Sequence, residues 1–336
     1  MPNQTIQMPW TEQGWLEQVS DWIHAELTRH GIEVTGSIDQ PPVGFGSAVL
    51  RVASTAGDIY FKAAGPANAH EPALSDLLWR WRPDCMPEVL AVDTQRGWML
   101  TPDLGATLRS LILSTRDLKH WQRVLVLLAE VQIDLSSRAL ELLKLGALDR
   151  RLAELPNQYE QLLTDTDALR LGRPDGLSNE AHRRLLQLSP GFRVMCEQLA
   201  AYQIPETLFH EDFHGANIFV RKNVYTFADW GESGVGHLFC TLLVTSRVIA
   251  WRLELADDAP ELMHLRDIYL EAWSSFEPRE NLIAAFKLAY RVGMVCRALT
   301  WRRVLAGVPE PIQADDAEAV PGWLQEFLGS EEKHAG

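Results

Sequence analysis

Four cysteines in 336 residues, Cys85, Cys196, Cys240 and Cys296, stand far apart with no Cys-x-x-Cys or Cys-x-x-His spacing. That scarcity leaves neither a disulfide framework nor a zinc cluster, and the four are expected to be buried thiols. Long apolar runs are missing as well: nothing approaches the ~20 residues needed to cross a bilayer. Residues Met1 to Thr5 carry neither a basic cluster nor a signal-type apolar stretch, so a cytoplasmic protein with no membrane partner is expected. Basic charge is also short. Lys and Arg number 31 against 45 Asp and Glu, a net charge of −14, and the clustered cations that nucleic-acid phosphates demand are absent. The acidic surplus would suit a cationic small molecule, but plain solubility is the weightier reading. There is no repeat or low-complexity tract. With 46% hydrophobic and 23% charged residues the chain has the composition of an ordered globular protein, and at this length two cores are expected rather than one. No feature fixes an oligomeric state.

What is present begins with a helix. Leu16, Val19, Trp22, Ile23 and Leu27 recur at three- and four-residue steps between Thr11 and Gly31. Strands follow. Gly44-Phe45-Gly46-Ser47 lies between a turn-like Pro41-Pro42 and the alternating Val49 to Ala53, and Thr55 to Asp58 turns the chain into Ile59-Tyr60-Phe61-Lys62. A short helix is predicted from His70 to Trp81, with Pro72 tolerated in its first turn, and a hairpin around Thr94 to Gly97. Beyond a crossing segment at Thr101 to Gly105 the pattern turns helical: Leu118 to Leu135, Ala139 to Leu163, Ser178 to Tyr202, Phe239 to Leu255, Leu262 to Ser274 and Asn281 to Leu305. A short terminal helix is expected over Trp323 to Leu328. The predicted class is α+β, with a small antiparallel-sheet N-terminal lobe (residues 1–102) and a larger helical C-terminal lobe (residues 103–336).

The chemistry concentrates between residues 208 and 237, which open Leu-Phe-His-Glu-Asp-Phe-His-Gly-Ala-Asn. Ile218 to Val220 and Val224 to Ala228 are strand-like runs around a polar turn, so a hairpin centred near Asn223 is predicted. Folding it back brings Asn217 and Asp229 together at its open end. An amide oxygen and a carboxylate are hard donors that suit Mg2+, which takes its remaining ligands from water and phosphate. Asp212, on the loop before, is free to meet a substrate hydroxyl. Phosphoryl transfer needs metal-held phosphates and a carboxylate that orients the attacking hydroxyl, and this spacing supplies both in order. An apolar run from Leu238 begins nine residues after Asp229, leaving no room for the long segment with which a protein kinase docks a peptide. The acceptor is expected to be a small molecule.

His-Glu-Asp-Phe-His-Gly-Ala-Asn and Asp-Trp-Gly-Glu-Ser-Gly-Val-Gly-His resemble the aminoglycoside phosphotransferase and choline kinase family, with its two-lobed protein-kinase-like fold. The resemblance implies ATP and Mg2+ as cofactors, Asp212 as catalytic carboxylate, Asn217 and Asp229 as metal ligands, and His210 as a brace of the loop. It places Lys62 on the nucleotide phosphates with Glu71 as its ion-pair partner, Gly46 and Ser47 in a phosphate-covering loop, and adenine against the backbone from Met99 to Thr101. Three departures stand out. Val49 occupies the third glycine position of a full Gly-x-Gly-x-x-Gly. Glu211 replaces a common Gly and is expected either to raise the pKa of Asp212 or to recruit an amine. An Asp that relatives often carry is missing near Thr241, whose hydroxyl is expected to hold the loop instead. His214 reads as a loop hydrogen-bonder and Glu232 as a ligand for a cation or a solvated residue. A catalytically silent nucleotide-binding module on the same fold is the alternative.

Overall fold

A computed structural model describes residues 7–39, 44–309, 312 and 315–335; Met1 to Thr5 and Pro41-Pro42 lie outside them. In chain order the elements are α1 (Trp15–Arg29), β1 (Val34–Asp39), β2 (Ser47–Ser54), β3 (Gly57–Ala64), α2 (Glu71–Trp81), β4 (Ala91–Asp93), β5 (Trp98–Pro102) and β6 (Ala106–Thr107). Then come α3 (Leu108–Thr115), α4 (Lys119–Leu135), α5 (Ala139–Lys144), β7 (Leu148–Arg150), α6 (Leu155–Thr164), α7 (Asn179–Ala200) and β8 (Thr207–His210). The chain ends with β9 (Ile218–Arg221), β10 (Val224–Phe227), β11 (Ser233–Gly236), α8 (Leu242–Leu253), α9 (Pro260–Glu271), α10 (Arg279–Leu305) and α11 (Ala319–Ala335). Two compact units result: one is Met1–Leu108 with Ala216–Gly231 and Gly307–Ile312, the other Arg109–Gly215, Glu232–Ala306 and Gln313–Gly336.

The first unit is built on a five-stranded antiparallel sheet in the order β1-β2-β3-β5-β4. Its strands alternate as half-buried strands must: Ala48, Leu50 and Val52 on β2, with Ile59, Phe61 and Ala63 on β3, go into the core. Trp15, Val19, Ile23 and Leu27, four apart, present one face of α1 to that surface. Phe61 sits among Trp15, Trp22 and Trp98 in edge-on contacts of 5.6–6.2 Å. Phe61→Ala would remove that keystone at a cost of about 3–5 kcal/mol. Parity sends Lys62 to the opposite face, away from α1, which is how one strand serves both core and site. β1 is a strand the sequence pattern missed, because Gly36 and Ser37 break its alternation and its register with β2 slips between Val34 and Ile38. Lys62 therefore lies inside the third strand, two residues before its end.

The second unit is helical, with a small sheet in the order β7-β11-β8; β11 runs parallel to β7 and antiparallel to β8. One helix predicted over Ala139 to Leu163 is in fact two. The chain leaves α5 through Gly146 at φ +98°, a conformation that favours glycine, then forms β7 before Pro156 opens α6. The buried face of α10 holds Ala285, Ala289, Val292 and Cys296. Gly293 lets it approach the turn before α8: a Cβ there would stand 3.2 Å from Leu243 Cδ2 and 3.5 Å from Cys240 Cβ. All four cysteines are buried free thiols. Among the described residues no helix is long and apolar enough to cross a membrane.

Candidate active site

In the sheet unit three charged residues meet. Lys62 Nζ donates to Glu71 Oε1 at 2.6 Å and to Asp229 Oδ1 at 2.7 Å. Glu71 opens α2 and is 1% exposed, whereas the Asp229 side chain is 51% exposed. Burial opposes the charge on Lys62, but Asp229 and Glu71 outweigh it and hold the ammonium well above its ordinary pKa. Lys62 pairs with Met99 across the β3–β5 ladder, and Met99 has Val92 of β4 on its other side. Thr101 is paired with Tyr60 alone, so it is the nearer of the two to a free backbone edge. Ser47 starts β2 opposite Ala64, and the carbonyl of Gly46 accepts from Gly65 N–H at 2.8 Å. The loop before β2 is thereby tied to the end of the lysine strand.

The predicted hairpin is present as β9 and β10, with Ile218 opposite Phe227 and Arg221 opposite Val224. Its turn is the pair Lys222-Asn223, at φ +50° and +65°, the left-handed pair that matches strand twist in two-residue loops. The centre thus falls between 222 and 223. Asn217 faces Ala228, whose N–H donates to the Asn217 carbonyl at 2.9 Å, and Asp229 follows. Asp229 itself has φ +67°, a strained backbone for a non-glycine residue of the kind that gathers at functional sites. Among the described residues no three His, Cys, Asp or Glu side chains group to hold a metal. The carboxylate of Asp229 and the side-chain amide oxygen of Asn217 are the donor types that would suit a magnesium ion keeping waters and taking phosphate oxygens.

His210, Asp212 and His214 belong to the helical unit. His210 ends β8, fully buried, opposite Ser233 of β11, and its Nδ1 accepts the Asp212 N–H at 3.1 Å. That bond ties the backbone at Asp212 back to the end of β8. Asp212 has two basic neighbours: His214 Nε2 at 3.3 Å from Oδ2 and Arg297 Nη2 at 3.8 Å from Oδ1. Burial pushes its pKa up, but His214 and Arg297 pull harder, leaving it well below the usual carboxylate range. Arg297, from α10, also donates to Glu232 Oε2 at 2.7 Å.

The expectation that Glu211 recruits an amine fails. The residue is buried, with Arg150 Nε at 3.1 Å from Oε1 and the Thr300 hydroxyl donating to Oε2 at 2.8 Å. An acid so enclosed recruits no amine. Glu232 is likewise held by Arg297. Thr241 is buried with no hydrogen-bond partner on its hydroxyl; Thr245, one turn on, donates to the Phe213 carbonyl at 2.7 Å and braces the loop instead. Arg297, Arg150 and Thr300 escaped the sequence reading. One signal was available: Arg297 is the sole charged residue between Arg291 and Arg302, and a lone charge in a buried helix face is normally paired.

The helical unit also contains a cavity of about 550 Å³ between α8, α9, α10 and α11, a size suited to a small molecule. Phe286, Tyr290 and Met294 of α10 line it. At three- and four-residue steps these continue along the same helix face to Arg297.

Several solved structures share this fold. Ethanolamine kinase of Plasmodium vivax superposes with a TM-score of 0.63 at 13% identity, covering 95% of this chain and 89% of that one. A choline/ethanolamine kinase family protein of Mesorhizobium loti gives 0.61 at 18% identity, covering 93% and 95%. Macrolide 2′-phosphotransferase type I gives 0.58 at 15% identity, covering 90% and 96%. The class is therefore the protein-kinase-like α+β fold. The chain belongs to the phosphotransferase enzyme family, whose sequence pattern matches residues 62–281. No curated protein matches the sequence.

Proposed function

We propose that this chain is a small-molecule kinase that transfers the γ-phosphoryl group of ATP to a hydroxyl. The observation that carries the proposal is Lys62, bonded at once to Glu71 and Asp229: an ammonium held in place by a buried acid, beside a half-exposed carboxylate able to take a cation. Lys62 would bind nucleotide phosphate, with Gly46, Ser47 and the backbone from Met99 to Thr101 serving the rest of the nucleotide. Asn217 and Asp229 would hold Mg2+, which neutralises developing phosphate charge when bound. Asp212, favoured in its ionised form by His214 and Arg297, would orient the acceptor hydroxyl and take its proton as the new P–O bond forms and the bond from the γ-phosphorus to the β–γ bridging oxygen breaks, with ADP leaving. Relatives by fold are named for ethanolamine, choline and macrolide acceptors, and the cavity along α10 is the proposed acceptor pocket.

The test is ATP consumption with Mg2+ across a panel of aminoglycosides, macrolides, amino alcohols and sugars. Turnover with one acceptor, abolished in Asp212→Ala, is the expected result. MgATP binding without transfer to any acceptor would favour the silent module. Full turnover in Asp212→Ala would overturn the assignment of the base.

A further inference from the structure

The left-handed backbone of Asp229, at φ +67°, persists in a non-glycine residue only where its surroundings hold it. Three contacts do so within the sheet unit. Lys62 bonds the carboxylate itself. Trp230, next along the chain and buried, donates its indole N–H to the Phe227 carbonyl at 2.8 Å. Gly231, one residue further, is packed against Asn68: a Cβ built on it would stand 2.9 Å from Asn68 Cγ and 3.0 Å from its Cβ and Nδ2. Carbon atoms pack at ~3.5–4.0 Å, so no larger residue fits at 231 while Asn68 stays in place.

Asn68 has little room to give way. It is 8% exposed and closes the single 3-10 turn Pro66–Asn68 between β3 and α2, its N–H donating to the Gly65 carbonyl at 2.8 Å. Gly65 is pressed in turn on the loop before β2. Its N–H donates to the Gly46 carbonyl at 2.8 Å, and a Cβ there would fall 2.6 Å from that oxygen and 2.9 Å from the Phe45 carbonyl oxygen. Phe45-Gly46, Gly65 to Asn68 and Asp229 to Gly231 thus form one stack, jointed at two bare glycines.

We propose that Asn68 is a positioning residue for Asp229: seated on Gly231 and anchored through Gly65 to the Phe45-Gly46 loop, it sets where the Asp229 carboxylate stands for a divalent cation. The proposal rests on the assignment of Asp229 as a metal ligand and deepens it. Asn68 acts through the backbone of residues 229–231, not as a ligand. Removing its side chain opens space behind Gly231 into which the strained backbone relaxes, and the carboxylate leaves the geometry that an octahedral cation demands. A methyl group added at 231 displaces the same backbone by crowding it. The two changes are opposite in volume and share one contact, so their effects should cancel rather than add.

The first measurement needs neither metal nor nucleotide. Amide hydrogen exchange at Ala228 to Gly231 reads how firmly that backbone is held. Asn68→Ala and Gly231→Ala should each speed it on the order of tenfold, and the double variant, whose new methyl takes up space the amide has left, should exchange near the parent rate. Should Gly231→Ala alone not fold, the double variant is compared with Asn68→Ala and should exchange more slowly. An unchanged rate in Asn68→Ala, or losses that add in the double variant, overturns the positioning role. The second measurement is calorimetry of a non-hydrolysable ATP analogue with and without Mg2+. A merely structural loss would lower both affinities alike; here the gain in affinity on adding Mg2+ should fall about tenfold or more in Asn68→Ala, with the metal-free affinity held within about twofold. A gain as large as the parent's overturns the link to the cation. If Mg2+ adds nothing in the parent, the metal-ligand assignment itself falls, and the exchange rates still decide whether Asn68 seats Asp229.

Discussion

The two charged clusters use different cations for different ends. In the sheet unit, a lysine is shared between a buried acid and a half-exposed one, Glu71 and Asp229. In the helical unit, two arginines lock acids that are mostly enclosed, Arg150 on Glu211 and Arg297 on Glu232 and Asp212. Lysine is a compact charge on a flexible stem that can exchange one oxygen for another; arginine is a planar fork that keeps its partners. The first arrangement suits a group that meets a new phosphate each cycle, and the second suits a scaffold that stays still.

The largest effects should come from removing the two reacting-site acids. Asp212→Asn should lower kcat by about 10²–10⁴-fold while leaving MgATP binding intact, as read by steady-state kinetics and calorimetry. Asp229→Asn should lower activity by about 10²–10³-fold and also abolish Mg2+-dependent stabilisation by ATP; asparagine tolerates the left-handed backbone, so the fold should survive. Equal loss of MgATP affinity in both would erase the contrast between the clusters. Next in size is stability. Arg150→Met strands the buried Glu211 carboxylate and should cost about 3–5 kcal/mol in chemical denaturation. Lys62→Met leaves the buried Glu71 carboxylate without its cation in the same way and should cost about as much stability, yet weaken ATP binding more.

A gentler difference is pH. Burial lowers the pKa of His237 from 6.5 to about 3, so the folded state holds it neutral while the unfolded chain protonates it. Its contribution to stability is fully present above pH 6.5 and declines as pH falls toward 3, by up to about 1.4 kcal/mol per pH unit. His237 Nδ1 accepts from Phe239 N–H at 3.4 Å to start a helical turn. His237→Asn, which keeps a capping oxygen, should flatten the pH dependence of unfolding without changing its midpoint much at pH 8. Smallest of all, Thr245→Val removes the hydroxyl that holds the Phe213 carbonyl and should cost about 1 kcal/mol, a change visible in melting temperature before activity.

The parts of the site that could be read from the sequence are those in which a few residues carry their own geometry. His210, Asp212, Asn217 and Asp229 are spaced by one loop and one hairpin, and the alternation around Phe61 fixes the side on which Lys62 emerges. Arg297, Arg150 and Thr300 were not legible, because their contacts join elements 61 to 89 residues from Glu211 or Asp212, and no local pattern states which helix packs where. Short strands escaped for another reason. β7, β8 and β11 have three or four residues each, and Gly234 and Gly236 depress the strand signal of the last. The same limit explains the single helix expected across Gly146: apolar spacing persists on both sides of a residue whose backbone has left the helix.

Gly293 lies one turn before Arg297, and its bare backbone sets how deeply α10 seats against Leu243 and Cys240. The helix works like a plunger whose stop is a missing methyl group. Adding that methyl would favour the helix intrinsically by up to about 1 kcal/mol and yet back the guanidinium off the Glu232 carboxylate it holds. A lineage adjusting how firmly Glu232 is gripped could therefore do so at a position that touches neither nucleotide nor acceptor.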